Sequence, residues 1–512
     1  MLQDRLRALS RATLAGMLRG IEKESLRVRP DGVLALTPHP AALGSALAHP
    51  HITTDFSESQ LELITGVHPS AEACLEELTH IHQAVYQAIG DELMWAGSMP
   101  CGLPAADKDI PIGHYGSSNV GRAKTVYRNG LSWRYGRRMQ TISGIHYNWS
   151  LPGLGNEDYF ALIRNFRRHG WLLFYLFGAS PATCATFVEG RPHALKPLRP
   201  GTYYLPHATT LRMGRLGYQS DAQSSLVVSC NDLAAYGRTL QQGLTQIYPA
   251  YQKIGIREPG ALGDGPDTYR QLSTTLLQIE NEFYGKIRPK RTIHPGERPL
   301  HALRERGVEY VEVRLMDLDP FEPVGINAAT MRFLDVFLLH CLLADSPPDT
   351  PEEITCVSHN QESVAQRGRE PGLKLGCGSG DRALREWGEK LLAECAPVAA
   401  ALDAALGGSL YREAHARQVE VLHDPALTPS ARVLVEMQRK HSGSYTEFVR
   451  ELSGKHRSAL MARGFPAAEQ ERFARLAAES LEEQRQIEAG DSLPFEEYRK
   501  KYLAVERLGI PT

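Results

Sequence analysis

The chain has 512 residues, and 57 Lys and Arg nearly balance 59 Asp and Glu, which leaves a net charge of −2. Proteins that bind nucleic acid over a broad surface are usually basic, so this balance argues against such a partner. Apolar residues make up 42% and charged residues 23%, which is typical of globular proteins and excludes a disordered chain.

Segment 1–20 carries several charges and no long apolar run, so we predict helix there and no secretory signal. The longest uncharged stretch, 170–188, contains Pro181 and only a short apolar part, which favours a buried core element over a membrane span. The eight cysteines are spread singly without a CxxC pair. We therefore expect reduced thiols in a cytoplasmic protein.

The periodicity of apolar residues changes along the chain. Up to about residue 330, alternating segments are mixed with helical ones, such as the apolar stripe over 71–89. Later, helical spacing dominates, as in 383–406 and 467–489. We predict an α+β catalytic body over 1–380 and a helical region over 381–512 that packs on it as one structural unit.

Five segments with the alternation of β-strands carry an unusual set of polar residues on one face. They are 21–28, 57–65, 140–150, 274–284 and 308–320. In the last of these, Val311 and Val313 fall on one face, and Glu312 and Arg314 fall on the other. For any one segment, the simplest interpretation is the solvated face of an antiparallel sheet.

Taken together, the five segments favour a reactive site. Lysine is rare among their polar residues, and neighbouring carboxylates repel unless a cation or an arginine lies between them. Carboxylates bind hard cations such as Mg²⁺, and arginines stabilise a transferring phosphoryl group. We therefore predict phosphoryl-transfer chemistry. The chain has no P-loop, and the glycine-rich stretch 372–380 has no lysine after it, so metals and the sheet face would have to hold ATP.

Nine segments in order along the chain resemble glutamate–cysteine ligase of the proteobacterial type. They are 20–28 (GIEKESLRV), 52–65 (ITTDFSESQLELIT), 94–101, 115–131, 139–152 (MQTISGIHYNWSLP), 175–182, 203–218, 278–291 (QIENEFYGKIRPKR) and 307–321 (GVEYVEVRLMDLDPF). The sequence similarity weakens after about residue 345. The sequence differs from the family before Thr13, over 346–384 and near 438–445.

The resemblance implies an α+β, glutamine-synthetase-like carboxylate–amine ligase fold, in which a curved antiparallel sheet forms a funnel surrounded by helices. It also implies a reaction, the first step of glutathione biosynthesis. In that step ATP, L-glutamate and L-cysteine give γ-glutamylcysteine, ADP and phosphate through a γ-glutamyl phosphate.

The resemblance also assigns roles to single residues. Two arginines match catalytic positions: Arg212 and Arg314. Six residues match magnesium ligands: Glu22, Glu24, Asp55, Glu62, His146 and Glu312. Seven match substrate-binding positions: Phe56, Tyr127, Leu131, Gln140, Asn148, Tyr218 and Tyr284. Nucleotide-contacting residues are not assigned, although the basic cluster 288–291 is placed near the nucleotide.

The cofactors that the resemblance implies are two or three Mg²⁺ ions, for which Mn²⁺ can substitute, with ATP as co-substrate. It further implies feedback inhibition by glutathione and a cytoplasmic monomer without a nucleic-acid or membrane partner. Three alternatives stay open: a ligase that joins glutamate to another amine, a non-catalytic paralogue that binds glutamate or glutathione, and a metallohydrolase built on the same carboxylates.

Overall fold

The structure is a computed structural model, and it describes residues 2–217, 222–223, 226–260, 265–294, 296–376 and 380–509. Its strands, in chain order, are β1 (Leu18–Val28), β2 (Ile52–Thr54), β3 (Gln60–Ile64), β4 (Leu93–Met94), β5 (Gly144–Ser150), β6 (Ala182–Cys184), β7 (Lys196–Arg199), β8 (Thr202–Tyr204), β9 (Ile287–Lys290), β10 (Tyr310–Asp317), β11 (Lys374–Gly376) and β12 (Asp381–Ala383).

The central sheet is antiparallel and has the order β2-β3-β1-β5-β10-β9, with β4 paired to the end of β1. Two small sheets, β6-β8-β7 and β11-β12, lie outside it. The predicted strands at 21–28, 57–65, 140–150 and 308–320 are confirmed. The first lies within the longer β1, and the other three strands are shorter than predicted. One face of the central sheet is packed into the core through residues such as Ile21, Leu63, Tyr147 and Val313, each 0% exposed.

The predicted strand at 274–284 is wrong. This segment is irregular and contains one short 3₁₀ turn, Glu280–Glu282. Gln278 N–H donates to Glu282 Oε2, a side chain of the same segment, at 2.7 Å, while Leu276 N–H donates to the Gln246 carbonyl oxygen at 2.9 Å. Side-chain bonds such as the first compete with pairing to a neighbouring strand.

The helices surround the sheet. They are α1 (Leu2–Ala8), α2 (Arg11–Ala15), α3 (Ala71–Ala88), α4 (Asn119–Tyr135), α5 (Arg137–Gln140), α6 (Asn156–His169), α7 (Trp171–Phe177), α8 (Ala185–Val188), α9 (Leu233–Thr245), α10 (Pro249–Ile254), α11 (Pro299–Arg306), α12 (Ala328–Leu343), α13 (Pro351–Arg367), α14 (Leu384–Leu406), α15 (Leu410–His423), α16 (Pro429–His441), α17 (Tyr445–Ala462), α18 (Ala467–Ala489) and α19 (Phe495–Leu503).

The helical predictions hold with one correction. The helix over 71–89 is α3, which begins where the Ser70 hydroxyl accepts from Ala73 N–H, a standard N-cap. The segment 1–20 is not one helix, because α2 ends before Gly16 and the chain then enters β1 at Leu18. The apolar part of 170–188 is α7, which is wholly buried, and among the described residues no helix is long and apolar enough to cross a membrane.

The helices after residue 381 lie against the rest of the chain. α14 contacts α2 and α12, α17 contacts α3 and β4, and α19 contacts α4. The division at residue 380 into a body and a helical region stays a prediction.

The cysteine expectation needs a correction. Six of the cysteines are free and buried: Cys74, Cys101, Cys184, Cys230, Cys341 and Cys395. Cys356, on α13, is disulfide-bonded. The fold brings α13 against β11, where Gly376 N–H donates to Asn360 Oδ1 at 3.0 Å. The spacing of the cysteines along the chain could not reveal that these two elements are in contact. Cys377 lies outside the described residues.

Candidate active site

A cavity of about 390 Å³ lies between the polar face of the central sheet and α4 and α19. Twelve of the predicted site residues line it: Glu22, Glu24, Asp55, Phe56, Glu62, Tyr127, Leu131, Gln140, His146, Tyr284, Glu312 and Arg314. A second cavity of about 40 Å³ shares His146, Tyr284 and Arg314 with the first and adds Arg212. The structure therefore brings nearly all of the predicted residues together.

Strand register explains this convergence. Across neighbouring strands, Glu24 pairs with Glu62 and Glu22 pairs with His146. One strand further, Glu312 lies opposite Asn148 on one side and Arg288 on the other. Side chains alternate between the faces of a strand, so residues in register on neighbouring strands share one face.

His146 lies at the centre of the carboxylates. Its Nδ1 is 3.2 Å from Glu22 Oε2 and 3.4 Å from Glu312 Oε1, and its Nε2 is 3.4 Å from Glu24 Oε1. Burial and the charge of Arg314 oppose protonation, yet hydrogen bonds to Glu22 and Glu312 raise the pKa of His146 to about 9. In the ion-free protein this imidazolium offsets part of the clustered negative charge.

The carboxylates differ in how well they are compensated. Burial, then the charges of Asp55 and Glu22, raise the pKa of Glu62 to about 8. Burial and Asp55 also raise the pKa of Glu24. Burial acts against ionisation of Glu312 too, but the charges of Lys290 and Arg314 hold its pKa well below the usual range. The Glu24 and Glu62 side of the cavity therefore carries uncompensated carboxylates.

These residues fit a hard divalent cation. Ligand atoms of Glu22, Glu62 and His146 lie within 4.8 Å of one another. Within the described part of the chain, the buried Oε2 of Glu312 has no hydrogen-bond partner. Carboxylate oxygens with one imidazole suit Mg²⁺ or Mn²⁺, and an added cation would remove the repulsion that raises the pKa of Glu62.

The cations border the carboxylates on one side. Arg314 Nη1 is 3.1 Å and Lys290 Nζ is 3.4 Å from Glu312 Oε1. Arg212, which is buried, donates from Nη2 to the Arg314 carbonyl oxygen at 3.0 Å. The positions of Arg212 and Arg314 are thus tied together beside the smaller cavity.

The substrate-binding predictions divide into three groups. Phe56, Leu131 and Tyr127 form a small apolar cluster at one end of the cavity, where Gln140 Nε2 donates to Tyr284 Oη at 3.2 Å. Asn148 is not among the lining residues, and instead donates from Nδ2 to Glu22 Oε1 at 2.9 Å. Tyr218 lies outside the described residues.

Several lining residues were not predicted from the sequence. On α4, Lys124 and Arg128 join Tyr127 and Leu131 on the lining face. Their spacing of three, four and seven residues marks one side of a helix and could have revealed them. On β9, Arg288 and Lys290 line the cavity as well, and both belong to the basic cluster 288–291 that the resemblance places near the nucleotide.

Two further lining residues, Tyr498 and Tyr502, come from α19. Their four-residue spacing places them on one face of a helix, but no local pattern shows that this helix reaches the sheet.

The fold and the sequence both match known proteins. A family model described as glutamate-cysteine ligase matches residues 4–364. The glutamate–cysteine ligase of Alcanivorax borkumensis is 47% identical, over 98% of this chain and 99% of that protein. That of Pseudomonas fluorescens is 45% identical, over 95% of this chain and 93% of that protein. The crystal structure of glutamate–cysteine ligase from Francisella tularensis in complex with AMP has a TM-score of 0.89 and 37% identity, over 95% of this chain and 97% of that chain.

The antiparallel sheet, with its single face of carboxylates and arginines, has the fold and site of a carboxylate–amine ligase. Both the family model and the full-length relatives identify one family within that class. The chain belongs to the glutamate–cysteine ligase family.

Proposed function

We propose that this protein joins the γ-carboxyl group of L-glutamate to the amine of L-cysteine at the cost of one ATP, through a γ-glutamyl phosphate. The product is γ-glutamylcysteine, so the reaction is the first step of glutathione biosynthesis. The observation that carries the proposal is the single sheet face on which Glu22, His146, Glu312 and Arg314 meet inside one cavity.

The chemistry requires activation of a poor acyl donor. The oxygen of a carboxylate is a bad leaving group, whereas phosphate leaves an acyl phosphate readily, so phosphorylation divides one difficult step into two easier ones. Charge develops on the transferring phosphoryl oxygens during the first step. We assign the stabilisation of that charge to Arg314 and Arg212, and the second cavity, which both arginines line together with His146, supports this assignment.

The metal ligands in this proposal are Glu22, Glu24, Asp55, Glu62, His146 and Glu312, which would hold two or three Mg²⁺ ions. Bound there, the ions would neutralise phosphate charge. His146 acts as a neutral ligand in that state and not as a general base. Asn148 fixes the direction of the Glu22 carboxylate through its amide, and the orientation of a ligand in this way is known to affect metal affinity.

The acceptor subsite is the apolar end of the cavity, formed by Phe56, Tyr127, Leu131 and Tyr284. Gln140 and Tyr218 complete the proposed substrate contacts, whereas Asn148, which was predicted to be one of them, acts through Glu22. Apolar and aromatic walls favour a thiol over a hydroxyl group, but a single small group is worth only about 1–3 kcal/mol in such a pocket. We expect 2-aminobutyrate, which has nearly the shape of cysteine, to be accepted.

ATP is the phosphoryl donor in this proposal, and the AMP complex of the Francisella relative supports nucleotide binding by this chain. We further propose that the protein works in the cytoplasm as a monomer. Glutathione would compete for the cavity, because it contains the γ-glutamyl and cysteinyl groups of the product. No nucleic-acid or membrane partner belongs to this function.

The test is phosphate release from ATP in the presence of magnesium and glutamate, measured with and without cysteine. Phosphate release that depends on cysteine and yields γ-glutamylcysteine, identified by mass, is the expected result. Release without any amine would instead indicate a hydrolase. Release that depends on another amine would indicate a different ligase, and binding of glutamate or glutathione without turnover would indicate a non-catalytic paralogue.

A further inference from the structure

Helix α4 carries part of the acceptor subsite, and its amino-terminal end depends on groups from elsewhere in the chain. Tyr127 and Leu131 line the cavity from this helix. The first N–H groups of a helix have no partner within the helix and need other acceptors. The Ser118 hydroxyl satisfies one of them, because it accepts from Gly121 N–H at 3.2 Å.

The junction between α18 and α19 supplies two more acceptors. Asn119 N–H donates to the Asp491 carboxylate, and Asn119 Nδ2 donates to the Leu493 carbonyl oxygen at 2.9 Å. Ser117 N–H, just before α4, donates to Glu488 Oε1 at 2.7 Å. The two carboxylates come 371 and 372 positions after their partners in the chain. Negative charge at this end of a helix also interacts favourably with the helix dipole.

The junction packs closely on the turn that precedes α4. Gly116 has a φ of +83°, and a Cβ atom there would collide with the side chains of Gln484 and Glu488. Glycine is the residue that adopts this φ readily and leaves room for both side chains. Gln484 Nε2 donates to Glu488 Oε1 at 3.0 Å, so the carboxylate that accepts from Ser117 is itself held in place.

The same turn contacts the opposite wall of the acceptor subsite, where Phe56 lies. Gly113 N–H donates to the Phe56 carbonyl oxygen at 2.9 Å. Tyr115 Oη donates to the Thr54 carbonyl oxygen at 2.8 Å. The turn therefore lies between the junction on one side and the backbone of the Phe56 segment on the other.

Helix α19 continues the contact along α4. Phe495, which is 1% exposed, packs with Ala123 and Val126 in one apolar cluster, and Tyr127 packs against that cluster. The carboxy-terminal helices therefore hold α4 both at its end and along one side, while Tyr127 and Leu131 line the cavity.

We propose that Glu488 and Asp491 are positioning residues for the amine acceptor. By holding the amino-terminal end of α4, they set how closely this helix approaches Phe56, and hence the width of the acceptor subsite. The proposal rests on the proposed function for the identity of the acceptor, cysteine. It gives the carboxy-terminal helices a part in substrate binding.

The first measurement is the steady-state kinetics of cysteine-dependent phosphate release. In the double variant Glu488→Ala, Asp491→Ala, KM for cysteine should rise by roughly threefold to thirtyfold, the range that corresponds to the loss of a helix cap. KM for ATP, KM for glutamate and kcat should stay within about twofold of the wild type, because only the acceptor wall moves. Asp491→Asn keeps an oxygen that accepts from Asn119 N–H, so this single variant should have nearly the wild-type KM for cysteine.

The second measurement is hydrogen–deuterium exchange, followed by mass spectrometry, without any substrate. Residues 119–131 should exchange faster in the double variant than in the wild type, because the end of α4 opens locally, whereas β5 in the central sheet should not change. Circular dichroism checks that the variants are folded. Glu497→Ala removes an exposed carboxylate of α19 and should match the wild type in both measurements.

A folded double variant with the wild-type KM for cysteine and wild-type exchange would overturn the proposal. Equal rises in KM for cysteine, ATP and glutamate would overturn it as well, because the contact would then support the fold in general and not the acceptor wall. Failure of the proposed function has a different result. The wild type would then release no phosphate with cysteine, whereas the exchange comparison does not depend on turnover.

Discussion

Glu22 and His146 face each other in register on neighbouring antiparallel strands, with Glu22 Oε2 3.2 Å from His146 Nδ1. Asn148, two residues along the same strand, donates to the other oxygen of that carboxylate. One carboxylate is therefore oriented by two neighbours while it also faces the cavity. A metal ligand needs this kind of support from surrounding hydrogen bonds.

This arrangement gives a prediction about metal binding. Titration of the wild type with Mn²⁺, followed by electron paramagnetic resonance of the free ion, should give two or three sites. Glu22→Gln should lose at least one of them, because a neutral amide is a weak ligand for a hard cation. Asn148→Ala should keep the number of sites but weaken binding by roughly tenfold, since it removes only the orienting contact.

The control for this titration is Glu483→Gln, which removes an exposed carboxylate on α18, far along the chain from the sheet. It should bind Mn²⁺ like the wild type. If Glu22→Gln matched the wild type in both number and affinity of sites, the assignment of the carboxylates to a metal centre would be wrong.

Arg314 gives a kinetic prediction. If this residue stabilises charge that develops in the transition state, Arg314→Ala should lower kcat by about a hundredfold to a thousandfold, with a much smaller change in KM. Arg314→Lys should recover only part of the rate, because an ammonium group cannot reproduce the planar fork of a guanidinium. The measurement is cysteine-dependent phosphate release at saturating substrates.

Arg475→Ala is the matched control for Arg314, because it removes a guanidinium from an exposed i,i+4 pair with Glu479 on α18. Its kcat and KM should equal those of the wild type. A pure rise in KM in Arg314→Ala would show instead that the arginine binds substrate and transition state equally well.

The site was predictable where its residues share strands, and less so elsewhere. Alternation is a local signal, so the sequence alone placed Glu22, Glu24, Glu312 and Arg314 on the polar faces of their strands. The order of the strands, and hence which faces adjoin, was not local information. The resemblance to the family implied only that these residues line one funnel, and the order of the strands is known from the structure.

The errors arise where tertiary contacts decide the outcome. The segment 274–284 has the alternation of a strand, but the N–H groups of Leu276 and Leu277 donate to the carbonyl oxygens of Gln246 and Gly243, and the segment follows an irregular path. Tyr498 and Tyr502 reach the cavity through contacts between α19 and residues about two hundred positions earlier, such as Arg298. Periodicity identifies such a helix but cannot place it.

The pair of Arg19 and Asp335 gives a prediction about stability. Both side chains are 0% exposed, with Arg19 Nη2 3.0 Å from Asp335 Oδ2, and Tyr147 Oη donates to Asp335 Oδ1 at 2.7 Å. Asp335→Ala should lower the free energy of unfolding by about 3–5 kcal/mol, because it leaves a guanidinium buried without its counter-charge. Urea denaturation measures this.

The comparison for Asp335 is Asp345→Ala. Asp345 pairs with Arg5 at 3.4 Å, and both side chains are about half exposed, at 51% and 52%. An exposed pair of this kind contributes about 0–1 kcal/mol. Similar losses in the two variants would show that the buried pair contributes no more than the exposed one.

Glu77 gives a prediction about pH dependence, and it also tests whether the carboxy-terminal helices are packed on the body. Burial opposes ionisation of Glu77, but hydrogen bonds from Arg472 on α18, at 2.8 Å, and from His68, at 2.7 Å, lower its pKa to about 2. A carboxylate whose pKa is lower in the folded than in the unfolded state stabilises the fold above the unfolded pKa, near 4.3. That stabilisation is lost as the pH falls from there towards 2.

Glu77→Gln should therefore be less stable than the wild type at pH 7, and the difference in free energy of unfolding should narrow by pH 3.5. Arg472→Met removes the partner from the other side and should show the same narrowing, since the two groups form one contact. Denaturant titrations at pH 7, 5 and 3.5 measure these differences. A difference that stays constant over this range would mean that Glu77 titrates alike in both states, and that α18 is not held to the body through this carboxylate.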